Sequence, residues 1–158
     1  MNKVPVSFLV PVKNEAANLP RCLESIAWAD EIWVVDSQST DGTQAIVVHN
    51  ADNTLVTASR PLQRGEFAYL YASALGPVAN QPATGAGAPS LPLAATTTKV
   101  TVLVGGVPSE VQFAGLAPGL VGVYQVNFRV PANAPVGGQS LMVTVGDASS
   151  PAASITVN

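Results

Sequence analysis

Trp33-Val34-Val35-Asp36-Ser37-Gln38-Ser39-Thr40-Asp41-Gly42-Thr43-Gln44-Ala45-Ile46-Val47-Val48-His49 is the stretch on which the fold of this chain turns. An apolar run closes on an acid, a polar loop rich in helix-capping residues follows, and a second apolar run begins. Before the loop, strand-like and helix-like patterns alternate. After it, short β-rich runs alternate with turn clusters only. The sequence therefore reads as an α+β chimera, with a short βαβ fragment over residues 1–44 and an all-β sandwich or barrel over residues 45–158.

Working upstream, Val4-Pro5-Val6-Ser7-Phe8-Leu9-Val10-Pro11-Val12 is an apolar run between Lys3 and Lys13. It is long enough for a buried strand and too short for a membrane span. Asn14-Glu15 ends it. Leu19, Cys22, Leu23 and Ile26 then fall on one helical face, the stripe needed to lie against a sheet. Pro20 is tolerated only in a first turn, so the spacing predicts a helix starting near Asn18 or Leu19. Glu31 to Asp36 is the second strand, completing strand, helix, strand and loop.

Two stretches carry a family resemblance: Val10-Pro11-Val12-Lys13-Asn14-Glu15, and Trp28 through Thr43 with its Asp36-Ser37-Gln38-Ser39-Thr40-Asp41-Gly42-Thr43 core. Over residues 1–46 the chain resembles the N-terminus of family-2 glycosyltransferases of the lipopolysaccharide-core type. The resemblance implies a doubly wound α/β (GT-A or Rossmann-like) domain that binds a nucleoside diphosphate sugar at the carboxyl ends of its strands. It implies that Pro11, Asn14 and Glu15 shape the nucleotide pocket and that Asp36 takes the base. Asn14, Glu15 and Asp36 all fall just beyond predicted strand ends, where open α/β sheets bind ligands.

The same resemblance implies a later Asp-x-Asp-like cluster, because a divalent cation, Mg²⁺ or Mn²⁺, neutralises the diphosphate leaving group and needs hard oxygen ligands. No Asp or Glu occurs between Glu66 and Glu110. A general base for the acceptor hydroxyl would have to come from Asp52, Glu66, Glu110 or Asp147, which are scattered among strands and turns. The expectation is a chain with no catalytic set of its own, needing a metal only if the transferase reading holds.

Downstream, Ala45 to His49, an Asn50-Ala51-Asp52-Asn53 turn and Thr54 to Thr57 predict a hairpin. Further strands are predicted at Phe67–Ala72, Val100–Val104, Glu110–Phe113, Val121–Val130, Leu141–Val145 and Ser154–Val157. Tyr124, Val126, Phe128 and Val130 alternate with Gln125, Asn127 and Arg129, so one face is core and the other wet. Gly76 to Thr97 is a long Pro/Gly/Ala/Thr connection without charge, either an ordered surface loop or a flexible tether.

Arg64 to Val78, Val104-Gly105-Gly106-Val107-Pro108, Phe113 to Gly119 and Tyr124 to Pro131 carry a second resemblance. Residues 45–158 are similar to an uncharacterised C-terminal domain of large surface or secreted proteins of Acidobacteria such as Solibacter. This implies an immunoglobulin-like fold and a terminal module beside neighbouring domains or an unknown protein partner, with no activity to carry over. Gln44 to His49 is readable as either family.

The net charge is −3 with 11% charged residues. The first part holds Glu15, Glu24, Asp30, Glu31, Asp36 and Asp41 against Lys3, Lys13 and Arg21, while the remainder is balanced. No basic patch for nucleic acid and no polybasic membrane anchor results. Nucleotide or nucleotide-sugar binding, if it survives, is expected to be weak. Cys22 is the one cysteine, so no intrachain disulfide forms and the redox compartment stays open. Met1-Asn2-Lys3 and a Pro-interrupted apolar run make a poor export signal, which points to the cytoplasm, whereas the second resemblance points to secretion or the cell surface.

Individual residues have plain readings as well. Asp41-Gly42-Thr43 reads as an Asx turn or cap, and Asp36 as pocket acid or strand-end polar residue. His49 has no second His, Cys or paired acid nearby in sequence, and reads as structural. Trp28 and Trp33 read as core anchors, and Tyr69, Tyr71 and Tyr124 as sandwich aromatics. No Gly-x-Ser-x-Gly elbow or positioned His base supports a hydrolase.

Overall fold

The computed structural model describes residues 4–13, 15, 18–26, 28–36 and 46–158. The chain divides into two compact units, Met1–Gln44 and Ala45–Asn158. In the first, strand β1 (Val4–Val12), helix α1 (Leu19–Ser25) and strand β2 (Ala29–Asp36) follow in order. β1 and β2 pair in parallel, with Val10 opposite Val34, Pro11 opposite Val35 and Val12 opposite Asp36. A parallel pair needs a crossover, which α1 supplies.

α1 is placed by its own residues. Asn18 stands at the N-cap and Pro20 in the first turn, where its missing N–H costs nothing. The Asn18 side chain does not cap the helix; its Nδ2 donates to Glu15 Oε2 at 2.8 Å, and Leu19 N donates to Glu15 O at 2.7 Å. Leu19 is buried, with Cys22, Leu23 and Ile26 partly so. Trp28 departs from the expected core anchor. It is 42% exposed, standing edge-on to Phe8 with ring centroids 5.5 Å apart, its Nε1 donating to Ser25 O.

The second unit is mostly β. Its strands are β3 (Ile46–His49), β4 (Phe67–Ala72), β5 (Val100–Val104), β6 (Val107–Leu116), β7 (Tyr124–Arg129), β8 (Gly137–Val145), β9 (Ala148–Ser149) and β10 (Ala153–Val157). They form one eight-stranded sheet in the order β10-β8-β5-β6-β7-β4-β3, with β9 added beside β8. β6 joins its two halves. Val107 to Ser109 pair with β5, and Glu110 to Leu116 pair with β7, with a register shift between Val111 and Phe113. A bulge of this kind bends the strand that carries it.

That bend curls the sheet around a single core. Leu70, Val126 and Phe128 from one half pack with Val102, Val104, Leu141, Ile155 and Val157 from the other. The alternation read in the sequence is the observed one: Val126, Phe128 and Val130 are buried, and Arg129 is exposed. β6 and β8 run longer than predicted, and β7 starts later, at Tyr124.

Sheet edges are liabilities unless covered. Here one connector covers both ends of the strand order. Beside β3, Val48 bridges Leu55, and Val56 N donates to Val47 O at 2.9 Å, closing the predicted hairpin. Beside β10, Leu62 bridges Val157, with Leu62 N donating to Thr156 O at 2.9 Å and Asn158 N to Leu62 O at 2.8 Å. Leu62 is fully buried, which locks the connector into the core.

Residues 76–97 are an ordered surface loop. Val78, Ala88 and Ala94 pack with Leu116, and the Tyr124 hydroxyl donates to Gly76 O. Bridges tie Val78 to Thr96, Ala95 to Gly115 and Ala88 to Pro118. Gly115 is required by this docking, because a Cβ there would collide with Ala94 O and meet Ala95 Cα at 2.8 Å.

Candidate functional site

In the first unit the register sets Pro11 opposite Val35 and Val12 opposite Asp36, at the carboxyl ends of neighbouring parallel strands. This is where open α/β sheets admit ligands. Pro11 is exposed. Glu15 lies three residues beyond β1, its Oε2 held by Asn18 and its carbonyl accepting from Asn18 N and Leu19 N. Asn14, Asp41 and the side chain of Asp36 lie outside the described residues.

Among the described residues, no three His, Cys, Asp or Glu side chains stand close enough to share a metal ion. No helix among the described residues is long and apolar enough to cross a membrane.

The second unit holds a pair that the sequence did not announce. His49, at the end of β3, is 4% exposed, and its Nδ1 pairs with Glu66 Oε1. Its Nε2 lies 3.2 Å from Arg60 O, and a carbonyl can only accept, so the Nε2 hydrogen is committed there. Glu66 Oε2 accepts from Gln63 N at 2.7 Å. All of these bonds are internal. The pair fastens the connector between β3 and β4 and has no ring nitrogen left to meet a substrate. The acid stands 17 residues from the histidine, and no local spacing rule links two such positions.

The hairpin turn carries a second polar cluster. Asp52 Oδ1 accepts from Thr54 Oγ1 at 2.7 Å and from Thr54 N at 3.2 Å, and Arg60 Nη2 donates to Oδ2. The Thr54 hydroxyl first, then Arg60, lower the Asp52 pKa to about 2. Tyr69 donates its hydroxyl to Asn53 Oδ1 at 3.1 Å, edge-on to Tyr71. Partial burial, with Tyr71 beside it, pushes the Tyr69 pKa up to about 12. Both clusters are bonded within residues 49–69.

With this geometry in view, the comparisons bear on the first unit. The family described as Glycosyl transferase family 2 matches residues 7–60. The N-terminal segment is of glycosyltransferase family 2 type. It is also similar to the lipopolysaccharide core biosynthesis glycosyltransferase LpsC of Rhizobium meliloti (strain 1021), with 49% identity over 45 residues. That stretch is 28% of this chain and 17% of the relative's length. No solved structure matches the chain.

The family match runs beyond the boundary between the two units. Its last residues are β3, the hairpin turn and the start of the connector, where Val47 and Val48 are buried in an antiparallel β unit.

Proposed function

We propose that this chain is a non-catalytic surface or interaction module, an immunoglobulin-like β-sandwich of the Acidobacteria C-terminal type carrying a truncated family-2 glycosyltransferase start. The observation that carries the reading is the fate of the chain after β2. Instead of further parallel strands and an acidic cluster, it enters an antiparallel sheet closed at both edges by its own connector. The junction near residues 43–46 is the point where two unrelated sequences meet. Pro11, Asn14, Glu15 and Asp36 are in this reading the remains of a nucleotide pocket.

The second reading is favoured by the match over residues 7–60. In it, a partner chain supplies the metal ligands and general base, and the assembly transfers sugar from a nucleotide diphosphate donor. Binding of UDP separates the two. A base-recognising acid supplies one or two charge-assisted hydrogen bonds, worth about 1.5–3 kcal/mol each, and without a metal the diphosphate desolvation goes uncompensated. Titration of UDP followed by tryptophan fluorescence should show a dissociation constant of about 1 mM or weaker, abolished by Asp36→Ala. Micromolar binding would contradict the non-catalytic reading.

A further inference from the structure

β5 and β6 part company in the middle of the sheet. Their ladder runs from Val104 opposite Val107 to Val102 opposite Ser109 and stops there. The two stretches meet again only where Ala95 bridges Gly115 and Thr96 N donates to Ala114 O at 2.8 Å. Between these points the chain bends outward at Thr97, whose N and Oγ1 both donate to Pro77 O, at 2.9 and 3.2 Å. A cleft of about 670 Å³ opens, lined by residues 95–101 on one wall and by Pro108, Ser109 and residues 111–114 on the other. That is within the usual size of a ligand site, roughly 300–1,000 Å³.

We propose that this cleft binds an extended peptide segment that carries a carboxylate, added along the open edge of β6. The walls are fixed from behind, β6 by β7 through Glu110 opposite Arg129 and Val111 opposite Phe128, and β5 by β8 through Val100 opposite Val145. Among the described residues, the cleft edge of β6 from Glu110 to Phe113 has no ladder partner. Four residues of strand offer roughly 13 Å of edge, enough to pair with the middle of a five-residue peptide.

Three side chains fit that occupant. Ser109 Oγ is buried without a hydrogen-bond partner, a cost that an incoming polar group removes. Gln112 is the extra residue of the β6 bulge and lines the cleft, and bulges recur where a side chain is re-aimed beside a site. Lys99 is the one charged residue in the lining and makes no ion pair among the described residues, so a carboxylate is its natural counterpart. The proposal rests on the interaction-module reading and gives that module's partner a chemistry.

The test is an amide-shift titration of the full chain with a capped Thr-Val-Asp-Val-Thr peptide, its Asn-for-Asp analogue, and a linear glucan pentasaccharide. The peptide should shift amides within residues 97–101 and 109–114. Lys99→Gln should weaken the Asp peptide by up to about fivefold, the most that one exposed charge pair contributes, and leave the Asn peptide unchanged. No shift in those segments at about 5 mM peptide, or shifts with the glucan instead, would overturn the proposal. Equal weakening of both peptides by Lys99→Gln would overturn its carboxylate. Nucleotide-sugar turnover is read separately, so failure here and failure of the non-catalytic reading are distinct results.

Discussion

His49 shows how much of a residue's role depends on what folding brings to it. In sequence it stands alone; in the fold it is buried against Glu66 and the Arg60 carbonyl. Removing the ring takes one partner from the Glu66 carboxylate, which keeps Gln63 N, and one from the Arg60 carbonyl, which keeps Thr57 N. His49→Ala should therefore lower stability by about 3 kcal/mol in urea denaturation, and the double-mutant cycle with Glu66→Gln should show coupling above about 1 kcal/mol. Additive effects would mean that the two side chains act independently. The pair was illegible because no helical or strand period connects positions so far apart. Asp36, in contrast, was placed at a strand end by pattern alone, and in the parallel register it stands opposite Val12, one residue on from the Pro11–Val35 pair.

Asp52 makes a pH prediction of definite sign. Its pKa falls from 3.8 to about 2, so it is held ionised in the folded chain more firmly than in the unfolded one. The stability it contributes is present above its unfolded value and is lost as the pH falls through about 2. The melting-temperature difference between the native chain and Asp52→Asn should accordingly be constant above pH 5 and shrink between pH 4 and pH 2, by roughly the range these values set. Tyr69 has the opposite sign. Its neutral form is favoured by folding, so its contribution is present below pH 10 and is lost as the pH rises through about 12. An ultraviolet titration should show a phenol ionising near pH 12, absent in Tyr69→Phe.

At the level of elements, the strands with strict alternation were legible and the exceptions have identifiable causes. Val100, Val102 and Val104 of β5 and Val126 and Phe128 of β7 lie on the core face, as a period of two requires. β6 was predicted only from Glu110 to Phe113, since Val107-Pro108-Ser109 contains a proline and the bulge at Gln112 interrupts the period. The loop 76–97 has no period at all, and its order comes from docking on Gly115 and Tyr124, which are remote in sequence. Gly115→Ala should push this loop off β6, because besides the Phe113 ring the atoms in the way are the backbone of Ala94 and Ala95. We expect a loss of about 1–3 kcal/mol together with faster amide exchange at Ala94 to Thr97. Unchanged exchange would show that the loop is held elsewhere.

For the whole molecule, the two units differ in how they bury apolar surface. Residues 45–158 close a core of Phe128, Leu62 and six neighbouring strands. A two-stranded parallel sheet with one helix of seven residues is too small to do the same. A fragment beginning near Gln44 should show a β-type circular dichroism spectrum and a cooperative melt, and residues 1–44 should be unfolded. A cooperative transition in the short fragment would contradict this division.

The measurement that tests the central claim most directly is turnover. Purified full-length chain, supplied with UDP-sugars and Mg²⁺ or Mn²⁺, should neither hydrolyse nor transfer sugar above a no-protein control. Turnover that Asp36→Ala abolishes would contradict the non-catalytic account.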